Sequence, residues 1–192
     1  MAEKPLEIEQ TGDSRVKRKK EYKKRETKGW IISMALAVVI ALSLRFFVFE
    51  FIRVEGQSME PTLINNEYVF MQKVLYYFDS PKYGDIVICS FPNRTETFVK
   101  RVVGVEGDVI RITNGTLYIN DVANYEHYDK AVGIDHDMAE LTVAQDSVFV
   151  MGDNRNHSMD SSNSGVGVLS EDMIHGRAEF VLWPLNMVHG LK

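Results

Sequence analysis

Residues 109–120 read VIRITNGTLYIN. Two short runs rich in β-branched residues flank Asn114-Gly115. Both central positions of a type I′ turn need a positive φ, which Asn and Gly tolerate, so this stretch predicts a β-hairpin. Outward from it the chain repeats the same texture. YVFM (68–71), DIVICSF (85–91), TFVKRVVGV (97–105), DVIRI (108–112), TLYIN (116–120), SVFVM (147–151) and RAEFVLW (177–183) are short β-branched and aromatic runs. No long apolar pattern of period 3.6 follows Phe51, so residues 50–192 are expected to be mainly β. Residues 109–146, which end in a polar and acidic stretch, are expected to form a smaller β subdomain or insertion.

Upstream the texture changes. Trp30–Leu44 is fifteen residues without a charge. As a helix it spans about 22 Å, less than the roughly 30 Å of hydrocarbon in a bilayer. Continued past Arg45 to Phe49 it reaches about 30 Å, with Arg45 able to snorkel and the aromatics suited to the headgroup region. Residues 30–49 therefore predict a transmembrane helix. Ala35–Ala37 resembles a signal-peptide cleavage site, but it lies inside the apolar run, so the segment reads as an uncleaved anchor.

The net charge of −5 is unevenly spread. Residues 1–29 hold ten Lys/Arg against six Asp/Glu, and the remainder holds twelve against twenty-one. A basic head before an apolar helix stays cytoplasmic by the positive-inside rule, which places residues 50–192 outside and leaves no role for nucleic acid. Cys89 is the one cysteine, which excludes an intrachain disulfide and a thiolate metal site. Its place in DIVICSF predicts a buried strand residue. His127, Asp129, Asp135, His136 and Asp137 crowd one polar stretch, but their spacing matches no metal motif, and a solvated loop is the expectation.

VEGQSMEPTL (54–63) carries the chemistry-bearing residue. Gly56-Gln57-Ser58-Met59-Glu60 nearly matches a nucleophile elbow, but Glu60 replaces its last glycine and no helix follows. A nucleophilic Ser58 would need a base from elsewhere. His157 in GDNRNHSMDSS (152–162) offers one, with Asp153 as the third member of a triad. Lys100 offers another. Residues 50–192 hold five lysines, Lys73, Lys82, Lys100, Lys130 and Lys192, and only Lys100 sits in an apolar strand. Burial there would favour its neutral form, able to accept a proton. Spacing alone leaves a snorkelling surface lysine equally open.

Taken together these segments resemble type I signal peptidases, in the short form of Gram-positive bacteria, over nearly everything after residue 29. VEGQSMEPTL resembles the nucleophile segment, YGDIVI (83–88) the Gly-Asp strand, FVKRVVGVEGD (98–108) the general-base segment, and VFVMGDNRNHSMDS (148–161) the segment carrying Gly-Asp-Asn and a later Ser-x-Asp-Ser. The resemblance implies an antiparallel catalytic domain behind one membrane helix, a Ser58–Lys100 dyad, and cleavage of preprotein signal peptides after small residues. It implies no metal or organic cofactor. Ser158 would hydrogen-bond the lysine amine, Asp160 would support that site, and Asp153 would pair with Arg101. Gly56, Gln57, Met59 and Val99 would border the oxyanion and the substrate strand. The lipid bilayer and the neighbourhood of the secretion translocon are the implied setting. Ser58 is nine residues beyond Phe49, about 30 Å of extended chain at most, so the site would work near the membrane.

Two positions depart from the pattern. Ser162 stands where many relatives place a basic residue able to pair with the aspartate, and Gly56 where some place an oxyanion-binding serine. Other readings compete. A self-cleaving repressor-type peptidase shares Ser and Lys, but a head of 29 residues is too short and too charged to make a DNA-binding domain. A non-enzymatic relative would have lost Ser58 or Lys100. A plain anchored binding module accounts for the helix and sheet but not for the four motifs.

Overall fold

A computed structural model describes residues 10–125 and 133–191. The chain divides after Arg45 into two units.

The first unit is helical. Helix α1 runs Gln10–Phe47, through much of the basic head as well as the apolar run. Its Leu, Ile, Val and Ala content favours helix, and Arg45 in the last turn complements the carbonyl end of the dipole. The helix ends two residues earlier than the sequence suggests, because Phe49 already pairs with Gln72 in a strand ladder. Glu26–Arg45 is long and apolar enough to cross a membrane, and it is the one such helix among the described residues. Trp30, Ile31, Ile32, Val38 and Val39 are all exposed. A helix that is apolar on every face needs either a protein core or lipid around it.

The second unit is antiparallel β. Its strands are β1 (Phe49–Arg53), β2 (Tyr68–Gln72), β3 (Ile86–Ser90), β4 (Thr97–Gly104), β5 (Val109–Thr113), β6 (Thr116–Ile119), β7 (Val122–Asn124), β8 (Met138–Thr142), β9 (Ser147–Met151), β10 (Leu169–Ser170), β11 (Ile174–Trp183) and β12 (His189–Gly190). The larger sheet has the order β1-β2-β11-β3-β4-β9-β10, with β12 on β11. The smaller has the order β7-β6-β5-β8. Every apolar run picked out in the sequence contributes a strand. β1, β7, β8, β10 and β12 lie outside those runs. β8, for example, reads MAELT, with a polar residue at its centre, and pairs through its backbone with β5.

The β5–β6 connection is the Asn114-Gly115 turn, with φ of 52° and 75°, the signs a type I′ turn requires. The small sheet is the insertion expected at 109–146, its strands ending at Thr142. It is not a satellite. Ile110, Ile112 and Leu117 pack with Val103, Phe149 and Met151 of the large sheet in one buried cluster. A second cluster joins Val87, Cys89, Val102, Val148 and Val150. The third gathers Val54, Met59 and Leu63 from the β1–β2 loop onto Val69, Met71, Ile86, Ile88 and Val181. β3 and β9 are covered on both faces, which is why they read as continuous apolar runs rather than alternating ones.

Candidate active site

The β1–β2 loop is fastened at its base, where the Val54 N–H donates to the Glu67 carbonyl at 2.8 Å and the Asn66 N–H to the Val54 carbonyl at 2.9 Å. Met59 and Leu63 are buried, and the Leu63 N–H donates to the Met59 carbonyl at 2.9 Å. Two apolar anchors thus hold the loop while Ser58, between core and solvent, turns the other way. On its far side the Asn154 N–H donates to the Ser58 carbonyl at 3.0 Å, and the Asn154 Nδ2 to the Gln57 carbonyl at 3.1 Å.

Lys100 comes from the middle of β4, opposite Val87 of β3. Its side chain is 2% exposed and its Nζ lies 2.8 Å from Ser58 Oγ. Burial holds its pKa below the usual lysine range, against the charges of Asp160 and Asp153, which favour the ammonium. Nearby Cys89 is pushed up to about 12 by burial, so at neutral pH it is an uncharged thiol. A desolvated amine at hydrogen-bond distance from a hydroxyl is the arrangement a general base needs.

Strand alternation sends Arg101 to the other face. Its Nε donates to Asp153 Oδ1 at 2.9 Å, its Nη2 to Asp153 Oδ2 at 2.7 Å, and its Nη1 to the Gly84 carbonyl at 2.9 Å. Thr62 Oγ1 donates to the same Asp153 Oδ2 at 2.5 Å. The guanidinium is therefore engaged by Asp153 rather than by Lys100. The pair joins the serine loop, β4 and the segment after β9.

Asp160 is fully buried, accepting from the Gly152 N–H at 3.0 Å and from the Ser162 N–H and hydroxyl at 3.1 and 2.7 Å. Ser162, at the position where a basic partner is missing, is thus itself the partner of Asp160. Ser158 differs from the expectation. Its hydroxyl is buried and makes no hydrogen bond to Lys100 or to any other described residue. Ser158 lies against Gly152, where a β-carbon would collide with Ser158 Oγ and with the Ser58 carbonyl.

The histidine alternative does not assemble. His157 is exposed with Nδ1 3.1 Å from Asn154 Oδ1, while Asp153 is taken by Arg101. No group of three or more His, Cys, Asp or Glu residues suited to a metal occurs among the described residues. His127 and Asp129 lie outside them. Asp137 accepts from the Asn114 N–H at 2.9 Å, a turn contact.

A groove of about 520 Å³ runs past the serine, bordered by Val54, Gly56, Ser58 and Met59 on one side and by Thr97, Val99 and Lys100 on the other. β9 pairs with β4 only from Arg101 to Gly104, so Thr97–Lys100 keep one backbone edge without a strand partner among the described residues. The Gly56 N–H donates to Asn65 Oδ1 at 3.1 Å. The Ser58 N–H has no hydrogen-bond partner among the described residues. Thr62 and Asn154 were not singled out in the sequence, although both lie in the quoted motifs. His136, whose Nε2 is 3.0 Å from Ser162 Oγ, was read in the sequence as part of a solvated polar stretch, with no link to the four motifs.

Residues 27–183 match the family model described as signal peptidase, peptidase S26. The chain belongs to the signal peptidase family. It is a serine peptidase of the bacterial type I class, a hydrolase. Signal peptidase I P of Bacillus subtilis subsp. natto is 38% identical over 179 residues, covering 88% of this chain and 96% of that protein. Signal peptidase I T of Bacillus subtilis strain 168 is 38% identical over 172 residues, covering 85% and 89%. A signal peptidase I of Leptolyngbya laminosa is 35% identical over 164 residues, covering 81% and 79%. The crystal structure of a signal peptidase I from Enterococcus faecalis V583 matches with a TM-score of 0.45 at 28% identity, covering 52% of this chain and 97% of that one.

Proposed function

We propose that this signal peptidase cleaves preprotein signal peptides after small residues with a Ser58–Lys100 dyad through an acyl-enzyme. The observation that carries the reading is the 2.8 Å approach of a buried Lys100 Nζ to Ser58 Oγ. The substrate binds extended, adding its backbone to the open edge at Thr97–Lys100 and lying against residues 54–58. Ser58 Oγ attacks the scissile carbonyl as neutral Lys100 takes its proton. The Ser58 N–H stabilises the developing oxyanion. The Lys100 ammonium then protonates the departing amine, leaving an acyl ester on Ser58. Lys100, neutral again, takes a proton from water, and the hydroxide equivalent releases the signal peptide and frees Ser58.

Helix α1 anchors the enzyme, with the basic head cytoplasmic and residues 50–192 on the far side of the membrane. That arrangement suits a substrate whose apolar segment stays in the bilayer as it leaves the translocon. The test uses the full chain in detergent with a precursor carrying an A-x-A site, and mass spectrometry of the new N-terminus. One cut after the small residue, abolished in Lys100→Ala, is expected. Cleavage that survives in Lys100→Ala overturns the dyad.

A further inference from the structure

Behind Asp160 runs a set of contacts that the dyad reading does not use. The Asp160 carboxylate accepts from the Gly152 N–H through Oδ2 and from the Ser162 hydroxyl through Oδ1 at 2.7 Å. Ser162 Oγ lies 3.0 Å from His136 Nε2, and His136 Nδ1 lies 3.0 Å from Asp135 Oδ1. His136 belongs to none of the four motifs. It sits in the loop that leads into β8 of the small sheet.

Proton accounting sets the direction of these bonds. A serine hydroxyl has one proton, and an ionised carboxylate only accepts. The Ser162 proton goes to Asp160, so Ser162 Oγ is the acceptor toward His136 and Nε2 is the donor. Asp135 Oδ1 likewise only accepts, so a ring that keeps both contacts donates from both nitrogens, Nδ1 to Asp135 and Nε2 to Ser162. Its loop has its own fastening: Asn156 Oδ1 accepts from the Asp135 N–H at 2.9 Å, and Asn156 Nδ2 donates to the Gly133 carbonyl at 3.1 Å. The loop therefore stays docked without the imidazole, and the His136 donor is directed to Ser162.

We infer that His136 is a positioning residue for the cleavage reaction: donating through Ser162, it fixes Asp160 and with it the Gly152–Asn154 segment that holds the Ser58 carbonyl. This rests on the reading of Ser58 and Lys100 as the dyad. Asp160 is fixed by three donors, and one of them, the Ser162 hydroxyl, is itself oriented by His136. Withdrawing that orientation lets the carboxylate and the Gly152 backbone drift, which misplaces the reacting pair without touching the groove. The effect belongs in kcat and not in KM.

The test is a double-mutant cycle on the full chain in detergent, with steady-state cleavage of the A-x-A precursor by wild type, His136→Ala, Ser162→Ala and the double variant, beside Lys100→Ala. His136→Ala is expected to lower kcat about fivefold, the scale of one hydrogen bond, with KM within about twofold. In the Ser162→Ala background the same change is expected to cost less than about twofold. His136→Phe, which keeps the ring and removes both nitrogens, is expected to match His136→Ala and covers the case in which alanine unsettles the loop. Unchanged kcat in both His136 variants overturns the inference, as does an equal loss with and without Ser162. Activity remaining in Lys100→Ala would instead overturn the dyad, so the two failures are separable.

Discussion

At the scale of single residues the site turns on a lysine kept out of water. Lys100 is one of the largest fully buried side chains in the chain, and burial lowers its pKa. In the proposed dyad the working form is the neutral amine, so kcat/KM should rise with pH along an acid limb lying below the ordinary lysine value of about 10.4. The same shift costs stability. Between the lowered folded value and the unfolded value the unfolded chain binds more protons, so stability rises with pH across that interval and is reduced below it. Lys100→Met keeps the volume and removes the ionisable group. It should lose about 10²–10⁴-fold in kcat yet melt at a higher temperature than wild type at pH 7, with the gap narrowing toward pH 10. Thermal unfolding of both proteins at the two pH values checks this, and a variant less stable at pH 7 would show that the amine is not held neutral at a cost.

At the scale of elements, the serine loop, β4 and the segment after β9 meet at one carboxylate. Asp153 is completely buried and takes both the Arg101 fork and the Thr62 hydroxyl. Removing one partner of a buried ion pair typically costs about 3–5 kcal/mol, far more than a surface pair. Asp153→Ala should therefore lose about that much in urea unfolding and lower kcat as the loop carrying Ser58 loosens from β4. A loss near that of the exposed Lys82–Asp79 pair, within about 1 kcal/mol, would mean the elements are held by their apolar anchors alone. The apolar contribution is itself substantial, since Met59 and Leu63 seat the same loop in the core.

At the scale of the whole molecule the question is which side of a membrane each unit occupies. Residues 1–29 carry ten basic and six acidic residues and the rest of the chain twelve and twenty-one. The positive-inside rule favours a cytoplasmic head, the orientation proposed above. In sealed right-side-out vesicles, added protease should digest the β unit and spare an epitope at the N-terminus, with the reverse in inverted vesicles. Digestion of the N-terminal epitope in right-side-out vesicles would reverse the orientation and place the peptidase in the cytoplasm.

The sequence by itself determined the β class, the hairpin at Asn114-Gly115 and the apolar helix, each through a local signature: period, turn chemistry or an uncharged run. For Lys100 the apolar strand left a surface lysine equally open, and its pairing with Ser58 was implied only by the family resemblance. What only the tertiary structure decided are the contacts between segments distant in the chain. Strand alternation put Lys100 and Arg101 on opposite faces, but it did not say that Thr62 would share Asp153 with Arg101. Ser158 sits in a motif that implied contact with the lysine, yet its buried hydroxyl has no hydrogen-bond partner among the described residues. Ser162 looked like a missing partner and is the partner, because its N–H and hydroxyl both reach Asp160. His136 was read as one of a solvated polar stretch, since a loop residue acquires its neighbour only when the small sheet folds against the large one. Local periodicity fixes which face a side chain takes. The distance between two faces is set by the core that packs them together.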